Sequence, residues 1–304
     1  MADYSNNVSV SEQAAYQLAN VTKTAPIYAP VTPRWLVRLI DWKPLEAGIF
    51  RRNRVVEDQP IQALCGHADD SEIPETFVQY EENPREYRLS SINALVNVQT
   101  RVSDIFNKPY DQVREQLRVT IEHVKERQEN ELLNNADYGL LNNIADSQKI
   151  STRTGPPTPD DLDELLTKVW KEPSFFLAHP RAIAAFGREC TRRGVPPPTV
   201  TLFGNPFLTW RGVPLIPTNK IHQTGTTSQI LLVRSGERKQ GVIGLFQPGL
   251  QGEQSPGLSV RHTGIDKRGI ASYLISLYCA ASVLTDDAIA SLENVEVGNY
   301  HEYK

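Results

Sequence analysis

Residues 111–134 read DQVREQLRVTIEHVKERQENELLN, a run without glycine or proline. The apolar residues recur at helical spacing and form one narrow stripe: Val113, Leu117, Ile121, Val124 and Leu132. Opposite charges four residues apart add a few tenths of a kcal/mol per pair to a helix. The pairs are Arg118 with Glu122, Lys125 with Glu129, and Arg127 with Glu131. At about 1.5 Å per residue the run predicts a helical rod of roughly 35 Å. Such a helix could be a spine against which sheet segments pack, or a solvated helix on an ordinary core.

The composition of the whole chain is that of an ordinary, mildly acidic protein. It has 304 residues, of which 39% are hydrophobic and 22% charged, with a net charge of -4. The length allows one large domain or two modest ones. Basic residues are scattered and do not alternate with aromatic ones, which argues against nucleic acid as a partner. The longest apolar run, 270–284, is broken by serines, and the first residues lack the features of a signal peptide. We therefore expect a cytoplasmic protein without a membrane partner.

The residue types that usually carry out catalysis or bind metals are not arranged in the pattern of a functional site. The three cysteines are Cys65, Cys190 and Cys279. They lie far apart, which indicates reduced thiols rather than disulfides or a zinc site. His67, Asp69 and Asp70 lie close to Cys65, but their spacing matches no ordinary metal site. The chain has no Gly-x-Ser-x-Gly elbow, and the glycine-rich run 246–257 lacks a phosphate-binding lysine. We therefore predict no catalytic residue, no cofactor and no metal.

The residues before the long helix divide into an arm and an excursion. In residues 1–31, a capping box at Ser9 predicts a short helix, and prolines hold the rest extended. We therefore expect this segment to be an arm that becomes ordered by contact with a neighbouring chain. Thr32 and Pro33 predict the cap and first turn of the next helix. Residues 49–80 are rich in strand formers but interrupted by charge, which predicts a two-stranded excursion from the body.

After the long helix, strands and helices alternate as in an α/β lobe. Thr158 followed by Pro159 and two aspartates predicts a helix start. The predicted buried face of that helix is Leu162, Leu165, Leu166, Val169 and Trp170. Pro180 begins a second helix that ends near Arg192 and Arg193. Further strands are predicted at 174–178, 206–210, 213–217, 229–234, 241–246 and from 270 onward. Thr285 is predicted to cap a last short helix with Ala288, Ile289 and Leu292.

Taken in chain order, these elements follow the major coat protein of tailed phages, and the sequence closely resembles the shell proteins of family 2A encapsulins. The segments that carry the resemblance are TPRWLVRLIDWKPLEAGIFR from Thr32, YGLLNN from Tyr138, PTPDDLDELLTKVWKEPSFFLAHPRAIAAFGRE from Pro157, RGVPLIP from Arg211, GLFQPGLQGEQSPGLSVR from Gly244, and the closing HEYK. The chain also resembles an actinobacterial protein once described as a major membrane protein and antigen. The resemblance implies an α+β fold, the HK97-like phage major capsid fold.

The resemblance further implies a division of the chain and a structural function. The implied units are an N-terminal arm at 1–31, a peripheral domain at 32–48, 89–157 and 265–292 with the spine helix at about 111–134, an elongated loop at 49–88, an axial domain at 158–264, and a tail at 293–304. About 60 copies would close into an icosahedral T=1 shell. That shell would enclose a cargo enzyme, a cysteine desulfurase of sulfur metabolism held through its disordered segment.

The resemblance also implies a pore. By resemblance, residues 192–198 meet their symmetry mates at the five-fold axis. The implied pore residues are Arg192, Arg193, Gly194, Val195 and Pro196. Five copies of two arginines would favour anions, unless these arginines only end a helix or pair with acids. The resemblance transfers no cargo-binding residue.

Two other functions stay open at this point. A phage or prophage capsid subunit would package nucleic acid, and a basic arm would favour it, but here only Lys23 precedes Arg34. A soluble α/β enzyme would need a catalytic constellation, which the sequence does not offer.

Overall fold

The computed structural model describes residues 27–56, 75–99 and 111–300, in which one long helix and two larger β-sheets organise the chain. The helices are α1 Trp35–Leu39, α2 Gln112–Asn134, α3 Pro159–Lys168 and α4 Pro180–Arg192. The predictions for Ser9, Lys23, Cys65, His67, Asp69 and Asp70 lie outside the described residues.

The helix predicted at 111–134 is confirmed as α2. The Asp111 side chain caps it by accepting a hydrogen bond from the Arg114 amide at 3.2 Å. α3 also begins as predicted, because Thr158 and Asp161 form a capping box and Pro159 occupies the first turn. Both helix starts depend on residues within one turn, which is why the sequence predicts them.

Fifteen strands lie in the described residues: β1 Asp41–Pro44, β2 Ile49–Arg52, β3 Arg85–Arg88, β4 Ser90–Gln99, β5 Lys149–Ser151, β6 Phe175–Ala178, β7 Thr199–Leu202, β8 Asn205–Trp210, β9 Val213–Pro217, β10 Thr227–Val233, β11 Val242–Phe246, β12 Glu253–Ser255, β13 Leu258–Ile265, β14 Ile270–Val283 and β15 Ile289–Glu296. One sheet has the order β1-β11-β14-β13-β12, with β4 also paired to β14. The second has the order β5-β15-β10-β6-β9-β8-β7. β2 and β3 form a separate antiparallel ribbon.

Strand β14 is the centre of the first sheet. Its first part is hydrogen-bonded on one edge to β13 and on the other to β4, and its last residues pair with β11. α2 packs on this sheet, where Val124 meets Ile275 and Leu277 in one buried cluster. The long helix therefore serves as the predicted spine for sheet segments, and its apolar stripe is held there by burial.

The second sheet carries α3 and α4. Leu162 and Leu165 of α3 and Phe186 of α4 pack with the buried strand residues Phe176 and Leu232. A larger cluster, which includes Leu36, Leu132, Leu231, Leu245 and Ala281, joins this layer to the first sheet. The two sheets thus share one continuous apolar contact.

The helix predicted from Thr285 is wrong. Asp286–Ala288 forms a single 3-10 turn, and the chain then continues as β15 between β10 and β5. Ile289 and Leu292 are both fully buried in the sheet. A hydroxyl followed by two carboxylates is a helix signal, but here pairing with distant strands overrides it.

Four smaller predictions are also wrong. α1 begins at Trp35 after Arg34, and Thr32 does not cap it. Trp170 is 71% exposed rather than part of the buried face of α3. Among the ion pairs predicted on α2, Arg127–Glu131 forms at 2.7 Å. The other two do not form as predicted, because Glu122 and Glu129 turn to residues of the preceding segment.

The excursion predicted from residue 49 is two-stranded at its base. β2 pairs with β3, and the ladder continues in a bridge between Val55 and Tyr80. The domain limits implied by the resemblance stay a prediction. β11 and β13 belong to the same sheet as β14, and β15 carries residues 293–296 into the second sheet.

Candidate functional site

The predicted pore residues lie at the end of α4 and in the turn after it. The Gly194 amide donates to the Thr191 carbonyl at 3.1 Å, and the Val195 amide donates to the Cys190 carbonyl at 3.0 Å. Gly194 has a φ of 68°. These two hydrogen bonds and the left-handed glycine are the Schellman motif, which satisfies the last carbonyls of a helix. The turn therefore holds Gly194 and Val195 in one conformation.

The loop after this turn is tied to β8. Both the amide and the hydroxyl of Thr209 donate to the Pro198 carbonyl, at 2.8 and 3.1 Å. Gly194, Val195 and Pro196 are exposed, and Pro197 is half-buried. The structure thus brings the five predicted residues together on one exposed turn, while their position at a symmetry axis stays a prediction.

The two arginines of this turn share one acid. Arg192 Nη1 lies 2.7 Å from Glu189 Oε1, and Arg193 Nη1 contacts Glu189 Oε2. Glu189 is only 4% exposed. The pairing with an acid, which the sequence left open, is therefore present, and the formal charge of the three residues is +1 rather than +2. Sequence reasoning missed Glu189, although it precedes the arginines by three and four residues on a helix, where side chains meet.

A second cluster forms where the described chain begins. Glu126 of α2 accepts hydrogen bonds from the Thr32 amide at 2.7 Å, the Thr32 hydroxyl at 2.8 Å and Lys220 Nζ at 2.7 Å. Arg34 donates to the neighbouring Glu122 at 2.5 Å and to Glu126 at 3.2 Å. Burial disfavours the Glu126 carboxylate, but the hydrogen bonds from Lys220 and Thr32 outweigh it and lower its pKa. The cluster fixes the direction in which residues 27–34 leave the body.

Glu129, one turn further along α2, holds the start of α1. Its Oε1 accepts from the Leu36 amide at 3.0 Å in a buried position. Burial raises the pKa of this carboxyl above its usual range. Because Glu129 is turned to Leu36, it does not pair with Lys125 as the sequence predicts.

A third cluster lies at the turn between β14 and β15, beside the base of the β2–β3 ribbon. Arg54 Nη2 is 2.6 Å from Asp286 Oδ1, and Arg234 Nη2 is 2.6 Å from Asp287 Oδ1. Lys171 Nζ lies 2.8 Å from the other oxygen of Asp287. Burial disfavours the Asp287 carboxylate, but hydrogen bonds from Arg234 and Lys171 outweigh it and hold its pKa well below its usual range. This turn therefore links the ribbon and both sheets.

Several large apolar side chains are exposed. Phe77 is 75% exposed and Tyr80 is 64% exposed, both next to the ribbon. Other exposed members are Val55, Val78, Trp170, Phe203 and Ile265. Single exposed apolar side chains are ordinary, whereas contiguous patches mark interaction sites. Among these residues, Phe77, Val78 and Tyr80 are close together in the chain.

The two thiols in the described residues, Cys190 and Cys279, are buried. Burial raises the pKa of Cys190 to about 11 and that of Cys279 to about 12, so both stay protonated and unreactive. Across 27–56, 75–99 and 111–300, no group of three or more His, Cys, Asp or Glu side chains is arranged to hold a metal ion. The helices in those ranges include none with the length and apolar character needed to cross a membrane.

Comparison with known proteins identifies relatives along the whole chain. A family model described as "Type 2A encapsulin shell protein SrpI-like" matches residues 49–299. The type 2A encapsulin shell protein SrpI of Synechococcus elongatus is 60% identical over 304 residues, which are 100% of this chain and 99% of that protein. The cryoEM structure of the holo-SrpI encapsulin complex from Synechococcus elongatus PCC 7942 matches with a TM-score of 0.86 and 59% identity, covering 97% of this chain and 99% of that one.

Viral-type capsids share the fold at much lower identity. The capsid of a native GTA particle matches with a TM-score of 0.64 at 12% identity, over 95% of this chain and 99% of that one. This likeness concerns the fold alone, and it confirms the predicted α+β, HK97-like capsid fold.

Proposed function

The chain belongs to the type 2A encapsulin shell proteins, and we propose that about 60 copies of it close into an icosahedral shell around a cargo enzyme. It is a shell subunit of an encapsulin nanocompartment, and thus a structural protein rather than an enzyme. The copy number and the cargo go beyond that assignment and are part of the proposal.

One observation supports closed assembly most strongly. The described residues of the ribbon segment expose Phe77, Val78 and Tyr80 on an element that has no core of its own. Burying such side chains against a neighbouring copy is favourable by roughly 25 cal/mol per Å² of apolar surface. Identical copies that join through two different surface patches form a finite particle when the rotation from one copy to the next returns to the first copy.

A cysteine desulfurase is the proposed cargo. The related SrpI structure is described as a holo complex, so that relative assembles with a further component. The resemblance of this chain to family 2A implies a desulfurase held by its disordered segment. Particles isolated from the native cells should therefore contain a second protein, identified by peptide mass spectrometry as a desulfurase. Finding a different enzyme would reject the cargo, and nucleic acid inside the particles would favour a capsid instead.

The pore at Arg192, Arg193, Gly194, Val195 and Pro196 is also part of the proposal. Glu189 already neutralises one of the two arginine charges in each chain. Five turns around one axis would still present excess positive charge, which raises the local concentration of small anions.

Glu189→Gln should therefore increase the passage of anions through the shell. The substitution keeps the side-chain shape but releases both arginines, so five more positive charges face the proposed pore. We expect iodide to quench a fluorophore trapped inside the shell several-fold faster, with caesium slowed. Glu131→Gln, which removes the charge paired with Arg127 on α2, is the matched control and should change neither rate. If iodide enters the Glu189→Gln shell no faster than the unmodified shell, and caesium enters it no more slowly, this turn is not the ion path.

A further inference from the structure

A pocket of about 780 Å³ lies where the base of the β2–β3 ribbon meets the turn between β14 and β15. We call it the ribbon-base pocket. Phe50, Val55 and Leu284 are the apolar side chains of its lining, and the other side chains are charged or polar. Pockets of this volume, with a few apolar groups and several polar ones, are typical of sites for small organic molecules.

The ribbon-base pocket is lined by more cations than acids. The five cations are Lys43, Arg51, Arg52, Arg54 and Lys171, and the three acids are Glu237, Asp286 and Asp287. The formal charge of the lining is therefore +2. It stays +2 when the ion-pair partners outside the lining are added, because the charge of Glu86 is offset by that of Arg234. A small dianion would neutralise the pocket.

The three acids of the pocket are already held by cations, whereas Arg52 is not held by an acid. The ion pairs are Asp286 with Arg54, Asp287 with Lys171, and Glu237 with Lys43. Arg52 donates to the Val283 carbonyl at 3.0 Å, and no carboxylate of the described residues forms an ion pair with it. An anion that enters the pocket therefore meets paired carboxylates and one guanidinium that is not paired with an acid of the described chain.

Two polar atoms of the lining are buried without a hydrogen-bond partner among the described residues. One is Arg52 Nε, which is a donor, and the other is Gln148 Oε1, which is an acceptor. Buried polar atoms in folded proteins are nearly always hydrogen-bonded, so each of these atoms indicates a partner that the described chain does not supply. A ligand that satisfies both atoms offers an oxygen to Arg52 and a hydrogen-bond donor to Gln148.

We propose that the ribbon-base pocket binds a phosphate monoester that carries hydroxyl groups. Such a phosphate group is close to a dianion above pH 7, which matches the charge of the lining, and a guanidinium is well suited to bind it. A phosphate oxygen accepts from Arg52 Nε, a hydroxyl donates to Gln148 Oε1, and the carbon skeleton lies against Phe50 and Leu284. A dicarboxylate carries the same charge but spreads it over two groups, which suits a single unpaired guanidinium less well.

Calorimetric titration of the purified protein with ribose 5-phosphate at pH 8 tests the site. We expect saturable binding of one molecule per chain, and affinity at least tenfold lower in Arg52→Met, which keeps a long side chain but removes its charge and its donors. Arg88→Met makes the same change in charge at an exposed position of β3 outside the pocket, and it should bind like the unmodified protein. The site is overturned if the unmodified protein does not bind, if Arg52→Met keeps its affinity, or if Arg88→Met loses as much.

Methyl phosphate, which has the same charge but no hydroxyl group, tests the contact with Gln148. The unmodified protein should bind ribose 5-phosphate several-fold more tightly than methyl phosphate, and Gln148→Met should bind the two nearly equally. An unchanged preference in Gln148→Met overturns this contact, and tighter binding of malate than of ribose 5-phosphate overturns the assignment to phosphates.

A density map of the unmodified protein with ribose 5-phosphate tests the site without any substitution. We expect density for the ligand next to Arg52 and Gln148, and a map without it at saturating ligand overturns the site. The lining belongs to one chain, so this result is separate from shell assembly. Subunits that bind ribose 5-phosphate but form no particles would overturn the shell and support the site.

Discussion

Replacing Asp287 with alanine should lower the free energy of unfolding by about 3–5 kcal/mol, because Arg234 is then left buried without an acid. The Arg234 side chain is only 1% exposed and has Asp287 as its carboxylate partner. Thr285 is the other side chain to which it donates, at 2.8 Å. A neutral hydroxyl does not replace the charge. Urea unfolding, followed by tryptophan fluorescence at one protein concentration, measures the loss.

The neighbouring residue supplies the control for this result. Asp286→Ala removes the pair with Arg54, in which Asp286 is largely exposed, and should cost less than about 1 kcal/mol. Replacing Arg234 with methionine and Asp287 with leucine together should recover much of the loss, since no buried charge is left alone. If Asp287→Ala lowers the free energy of unfolding no more than Asp286→Ala does, the buried Arg234 does not depend on its carboxylate partner.

The same pair makes part of the stability depend on pH. The folded protein holds the pKa of Asp287 below the value of about 3.9 expected in the unfolded chain. The stabilisation is therefore fully present above about pH 4 and is lost as the pH falls below it. We expect the difference in unfolding free energy between the unmodified protein and Asp287→Ala to shrink below about pH 4. A constant difference down to pH 2 would contradict this assignment.

Glu126→Ala should be the next most damaging change, with a loss of about 3 kcal/mol. It removes the acceptor for Lys220 and for both the amide and the hydroxyl of Thr32, in a cluster that is largely buried. Because Thr32 is then released from α2, trypsin should also cut faster after Arg34. Urea unfolding measures the first effect, and a timed digest measures the second.

Arg127→Ala is the matched control on the same helix. Arg127 is 58% exposed, and its pair with Glu131 is a surface pair worth less than about 1 kcal/mol. If Glu126→Ala unfolds at the same urea concentration as Arg127→Ala and is cut no faster, Glu126 does not hold the start of the described chain.

What the sequence predicted well depends on residues close together in the chain. The spine helix, the helix start at Thr158 and the helix end near Arg193 each depend on contacts within about one turn. The pairing of Glu189 with the arginines is equally local and could have been predicted from its spacing.

The remaining features depend on distant partners. β15 lies in a sheet formed with strands far away in the chain, so local helix signals at Thr285 mislead. Glu126 and Lys220 are 94 residues apart, and Arg234 and Asp287 are 53 apart. Neither pair leaves a periodic pattern in the sequence. The interfaces between shell subunits leave even less of a local pattern in the sequence, because half of each interface belongs to another copy of the chain.

The mass of the purified chain tests shell assembly most directly. Mass photometry of the protein, expressed alone at working concentration, should show one dominant species of roughly 2 MDa, which corresponds to about 60 copies. Negative-stain images of that species should show closed spherical particles. A dominant species at the subunit mass of 34.1 kDa, or a small oligomer, would contradict a self-assembling shell.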